Sequence, residues 1–182
     1  MEEFLESYGQ NLKSRLIEFC TSRGVLGGEF LVMEELDNVW HAAAPEYMAD
    51  AVPQIKDYPG VAVAWACYFG MGAAAYWDAG WDGSGDGSSV YSMMRDKRGF
   101  DCMDDYIAEE LLCLEKDTAA RLAALIGDCS SMAIRLLRKE GIEPQSVEAF
   151  HLFARTTEIC FGLGVSLELY RMGYKYEKIV LT

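Results

Sequence analysis

Val61–Trp77 reads VAVAWACYFGMGAAAYW, 17 residues without a charge. Two structures suit such a run: a membrane span, or a helix buried on every side in a globular bundle. A span needs about 20 apolar residues, so this one is short. Much of its apolarity comes from Ala and Gly, and no basic cluster follows it to set an orientation. The stretch is therefore expected to be the central helix of a bundle, hydrophobic all round because it is covered all round. Ala62, Ala66, Gly70 and Ala74 recur every four residues and form a smooth ridge. Val61, Trp65, Tyr68, Phe69 and Tyr76 crowd the other side. A smooth ridge lets a second backbone approach closely. The last helix, with Ala154, Gly162 and Ser166 at similar spacing, is its expected partner.

Outward from this helix the periodicity stays helical. Phe4, Leu5, Tyr8, Leu12, Leu16, Ile17 and Cys20 recur at three and four, ending at a GVLGG turn, Gly24–Gly28. A second helix is expected over about 29–50, bent at Pro45, and VPQIKDYPG connects it to the third helix from about Gly60. A short helical turn follows near 90–94. Ile107, Leu111, Leu114, Thr118, Leu122, Leu125, Cys129, Met132 and Leu136 then keep a step near 3.6 over 102–140, as one helix or as two joined near 115–117. Gly141 and Pro144 stop it, and a last helix runs over about 145–172, closed by Gly173. The tail YKYEKIVLT alternates weakly, as an extended segment or short strand would. Without βαβ alternation or a hairpin signal the class is all-α: a single-domain bundle of about six helices over 1–182. CYFGMGAAAYWDAGW and CFGLGVSLELYRMGY share Phe-Gly-hydrophobic-Gly, but their flanks do not align, and chance accounts for so short a match.

The 182 residues carry 16 basic against 29 acidic side chains, a net charge of −13. The densest basic runs, RDKR (Arg95–Arg98) and RLLRK (Arg135–Lys139), are short and flanked by acid. Nucleic acid and anionic membrane are thereby disfavoured, and a basic protein partner suits the charge better. The N-terminus lacks the basic, apolar pattern of a secretory signal, so the cytoplasm is the expected compartment. Six cysteines (Cys20, Cys67, Cys102, Cys113, Cys129, Cys160) lie far apart along the chain without a CxxC pair. They read as small buried hydrophobes with free thiols.

Trp77–Ser89, WDAGWDGSGDGSS, looks most like a motif. From Asp82 it offers Asp82, Ser84, Asp86, Gly87 and Ser88 at the first, third, fifth, sixth and seventh positions of an EF-hand loop. The twelfth position must supply a bidentate carboxylate, yet it is Met93; counted from Asp78 it is Ser89. A phosphate cradle would need GK[ST] and fewer aspartates. Residues 78–89 are therefore expected to be a flexible connection.

Both histidines lie in polar helical stripes. Glu34, Asp37, Asn38 and His41 share one face; Glu148, His151, Arg155 and Glu158 share another, with Glu148 and His151 at Glu-x-x-His spacing. If the stripes met, Asp37, His41, Glu148, His151 and Glu158 could ligate a divalent metal. A di-iron bundle needs two such pairs, and Arg155 would oppose a cation, so no metal or other cofactor is expected and solvated faces account for both stripes. No GxSxG, HExxH or Walker motif occurs. Trp40, Trp65, Tyr68, Tyr76, Trp77 and Trp81 concentrate aromatics mid-chain, as a ligand pocket, a core or an interface does. The leading expectation is a non-enzymatic interaction or adaptor protein. An acidic surface steers a basic partner, Trp77, Trp81 and Trp40 are its candidate anchors, and self-association remains open. Alternatives are a metal-dependent bundle enzyme and an aromatic-pocket binder of small ligands.

Overall fold

The computed structural model describes residues 1–31, 33–81 and 87–175. Among them are seven α-helices and no strand: α1 (Glu2–Ser22), α2 (Glu34–Ala51), α3 (Pro59–Asp78), α4 (Gly87–Arg98), α5 (Met103–Tyr106), α6 (Lys116–Lys139) and α7 (Val147–Arg171). No described helix is long and apolar enough to cross a membrane. Val61–Trp77 is instead the middle of α3, opened by Pro59 in the first turn, where a missing N–H costs nothing. α3 is packed along its length by α7 and touched by α2, α4, α5 and α6.

The close approach of α3 and α7 has a steric cause. A β-carbon at Gly70 would overlap the carbonyl oxygen of Phe161 and lie 2.9 Å from the Val165 nitrogen. One at Gly164 would overlap the carbonyl oxygen of Cys67 and lie 2.7 Å from its carbonyl carbon. Gly70 therefore does what its place in the ridge suggested. On α7 the glycine is Gly164, not the expected Gly162, where a β-carbon would lie 3.6 Å from the Phe30 ring. The two Phe-Gly-x-Gly repeats thus use different glycines: the first in α3, the second in α7. The helices run in the same sense, since Gly70 meets Phe161 while further along Trp77 meets Tyr174 at 5.7 Å.

Several boundaries differ from expectation. α2 begins at Glu34, later than about 29, because Phe30 is buried and the Leu31 N–H is held by Ser166 Oγ at 3.0 Å, tying that strip to α7. Pro45 lies inside α2 on an exposed position. The 102–140 region is two helices. α5 runs into a π turn, Ile107–Leu111, and Cys113 then takes φ 50, which few non-glycine residues adopt, before α6 starts. Ser146 caps α7 by accepting the Ala149 N–H at 3.0 Å, and Gly173 at φ 94 closes it. Of the YKYEKIVLT tail only Tyr174 and Lys175 are among the described residues.

α4 is longer than the short turn expected, and its start lies within the 78–89 connection. Asp78 is the last residue of α3 and Gly87–Ser89 open α4, while 82–86, with the candidate calcium ligands Asp82, Ser84 and Asp86, lie outside the described residues. Gly87 is buried against α2, where a β-carbon would sit 2.5 Å from Val39 Cα. The Gly87→Ala variant is expected to lose about 1–3 kcal/mol through overpacking, less where the helix end can lift. At about 2–4 °C per kcal/mol for a chain of this size, thermal denaturation resolves it. An unchanged midpoint would show that the contact yields freely.

Candidate functional site

Several partly covered aromatics gather at the end of the bundle where α3 and α7 finish. Trp77 and Trp81 are half-buried there. The Trp77 ring lies 5.7 Å from Tyr174, and Trp81 lies 6.1 Å from Tyr76. Tyr174 is 39% exposed and donates its hydroxyl proton to Asp78 at 2.6 Å; Tyr170 is 40% exposed. Beside them a cleft of about 260 Å³ is lined by Leu26, Gly27, Glu29, Leu31, Tyr170, Tyr174 and Lys175. The local cause is plain. α3 leaves the core at Tyr76, so its last aromatics are only partly buried among the described residues, and Gly80 at φ 94 turns the chain to bring Trp81 back towards Tyr76.

Trp40 belongs elsewhere. It is 5% exposed and surrounded by Phe161 at 5.1 Å, Tyr47 at 5.4 Å and Phe69 at 6.4 Å, so it is a core residue and not a binding anchor. Trp65 stacks edge-on with Tyr68 and donates its indole N–H to the Phe100 carbonyl at 2.7 Å. None of the six mid-chain aromatics lines the cleft at the α3–α7 end or the one between α1 and α7.

That second cleft, about 250 Å³, is where part of the histidine–carboxylate expectation falls. Lys13, Asp37, Arg155 and Glu158 stand around it with Phe30 and Gly162. Arg155 pairs with Glu158 at 2.7 Å and with Glu6 at 3.1 Å, as a cation within an acidic stripe should. Its Nε is buried against Gly9 without a partner. Lys13 lies over the Phe30 ring at 5.2 Å. Glu148 and His151 are exposed near the start of α7, and seven residues of helix, about 10 Å of rise, separate His151 from Glu158. Among the described residues no three His, Cys, Asp or Glu side chains gather to hold a metal ion. The set Asp37, His41, Glu148, His151 and Glu158 is therefore not assembled, because Arg155 occupies the middle of its stripe and the helix spreads the others along its length.

Asp37 meets solvent over much of its surface, yet burial around its carboxyl raises its pKa; His41 and Lys13 oppose the rise and Glu158 adds to it. With the folded pKa above the unfolded one, the native state binds the extra proton in the window between them, so stability falls as pH rises through it. Asp37→Asn is expected to raise the melting temperature at neutral pH. The gain should vanish below the ordinary carboxylate range, where wild-type Asp37 is protonated in both states. Melting curves across that range check it; a gain independent of pH would contradict the electrostatic cause.

A third polar site, between α2 and α4, was not anticipated. Arg95 pairs with Glu46 at 2.7 Å and Asp50 at 3.0 Å, the Tyr91 hydroxyl donates to Asp50 at 2.6 Å, and the Ser88 and Ser92 hydroxyls donate to Glu46 at 3.0 and 3.2 Å. Tyr91 is pushed up first by burial and then by Asp50, so its hydroxyl stays a donor. Every member is satisfied, and the site closes α4 onto α2. The sequence shows only that Glu46 and Asp50 share one face of α2 and that Ser88, Ser92 and Arg95 share one face of α4, not that the two faces meet.

Against protein-family models, curated proteins and solved structures the chain returns no match.

Proposed function

We propose that this chain is a non-enzymatic interaction module that docks a basic protein partner on the aromatic end formed by α3 and α7. The observation that supports it most is the pairing of half-buried Trp77 and Trp81 with Tyr174 and Tyr76, beside the part-exposed Tyr170. Trp and Tyr held rigid at a surface lose little entropy on binding and dominate interface hot spots. A net charge of −13 raises the encounter rate with a cationic partner and makes it salt-dependent. Trp77 and Trp81 are the anchors, and the surrounding acids steer.

The test is affinity capture on the immobilised chain at low and high salt, repeated with a Trp77→Ala/Trp81→Ala double variant checked for an unchanged circular dichroism spectrum. A basic protein retained at low salt, released at high salt and bound at least tenfold more weakly by the variant, a loss of about 1.4 kcal/mol or more, is the expected result. Equal retention by variant and wild type would place docking elsewhere. Capture of nothing salt-sensitive would overturn the proposal.

A further inference from the structure

Four of the six cysteines are buried, on four different helices: Cys20 on α1, Cys67 on α3, Cys129 on α6 and Cys160 on α7. Cys102 and Cys113 are exposed on the segment around α5. Free, buried thiols were expected throughout, but two of the four are also in contact. The Cys20 and Cys129 sulfurs lie 3.6 Å apart, 109 residues apart in sequence. Their side chains are 0% and 2% exposed, so packing on all sides holds the pair.

We propose that Cys20 and Cys129 form a dithiol redox site, which a small peroxide converts to a disulfide stapling α1 to α6. The sulfurs need close by only about 1.5 Å to reach bonding distance, a side-chain adjustment rather than a helix shift. A neighbouring cation distinguishes the two thiols. Either thiol can donate to the other, but Arg23, three residues on from Cys20, favours the Cys20 thiolate against burial, while burial pushes Cys129 up. Burial pushes Cys160 up to about 12 and raises Cys67 as well. Cys20 is therefore the attacking sulfur of the four.

The Cys20 thiolate attacks one oxygen of hydrogen peroxide, the O–O bond breaks, and hydroxide leaves to be protonated to water. The sulfenic acid on Cys20 is then attacked by the Cys129 sulfur. An S–S bond forms, the S–O bond breaks, and the departing hydroxyl takes the Cys129 proton as a second water. Two thiols lose two electrons and two protons, and one peroxide becomes two waters. A thiol reductant reverses the change. Only a small oxidant can reach the pair, because both sulfurs lie beneath α1, which packs on α7 and α6.

The experiment uses the full chain, both as wild type and with Cys102→Ser/Cys113→Ser, which removes the exposed thiols. After hydrogen peroxide and alkylation of the remaining thiols, unreduced tryptic peptides are mapped by mass spectrometry. Expected is a species lighter by two hydrogens in which Leu16–Arg23 is joined to Leu122–Arg135. Its melting temperature is higher than that of the reduced protein and returns with dithiothreitol. In the same background Cys129→Ala should give instead a Cys20 sulfenic acid, trapped when the peroxide-treated protein is unfolded in dimedone. Should Cys129→Ala fail to fold, the peptide map of the parent decides alone. Four alkylatable buried thiols after peroxide and unfolding, or a link through Cys67 or Cys160, would overturn the assignment.

Discussion

Alanine at Gly164 is expected to cost about 3 kcal/mol or more, at or beyond the top of the usual range for overpacking. The obstacle is the Cys67 carbonyl on the most enclosed helix of the bundle, and backbone cannot rotate out of the way as a side-chain tip can. α3 and α7 would have to separate by a substantial part of a methyl radius along their shared length, loosening Phe69 from Phe161, now 5.0 Å apart. Gly70→Leu meets Phe161 in the same way and should cost about 1–3 kcal/mol or more. Gly162→Ala is the internal control. Its neighbour is the Phe30 ring at ordinary contact distance, so the better helix propensity of alanine should make it neutral or stabilising by up to about 1 kcal/mol. Urea denaturation of the three variants gives the ranking directly. Equal effects at Gly162 and Gly164 would refute a backbone contact specific to Gly164.

Trp40→Ala should cost about 3–5 kcal/mol, the range for emptying the space of a buried large aromatic. Trp40 joins three elements at once: its ring faces Tyr47 on its own helix, Phe69 on α3 and Phe161 on α7. Tyr47 donates its hydroxyl proton to the Ala62 carbonyl at 2.5 Å and is boxed in by the same rings, so the hole cannot close by a simple slide. At about 2–4 °C per kcal/mol the melting temperature should fall by roughly 6–20 °C, with loss of near-ultraviolet aromatic circular dichroism. Partner capture per folded molecule should be unchanged, in contrast to Trp77→Ala/Trp81→Ala. A stable Trp40→Ala protein with impaired capture would return Trp40 to the interface.

The contrast between Trp40 and Trp77 shows what was legible in the chain. Both lie in helical patterns among apolar neighbours, and nothing local separates them. Trp40 is covered because α3 and α7 cross its face, and Trp77 is half-covered because it sits on the last turn of α3. The histidine stripes fail as a metal set for a related reason. Helical spacing correctly put Arg155 beside Glu158, but the rotation and offset of α2 against α7 decide whether opposing stripes converge. Likewise the six cysteines read alike as buried thiols, yet Cys102 and Cys113 are exposed. Cys113 follows a run of apolar residues at helical spacing, yet the π turn before it and its own positive φ carry it outward.

Local periodicity and composition alone determined that the described residues are all-α, that Val61–Trp77 is a covered helix, and that Gly70 lies where a backbone comes close. These follow from the 3.6-residue repeat and from missing side-chain volume, which a sequence states outright. Tertiary structure decided the rest: Gly164 as the partner glycine, the Arg95 site joining α2 to α4, and the contact between Cys20 and Cys129. Each depends on the relative rotation and offset of two helices distant in the chain. Small errors in either move a side chain to a different neighbour, and no local pattern encodes them.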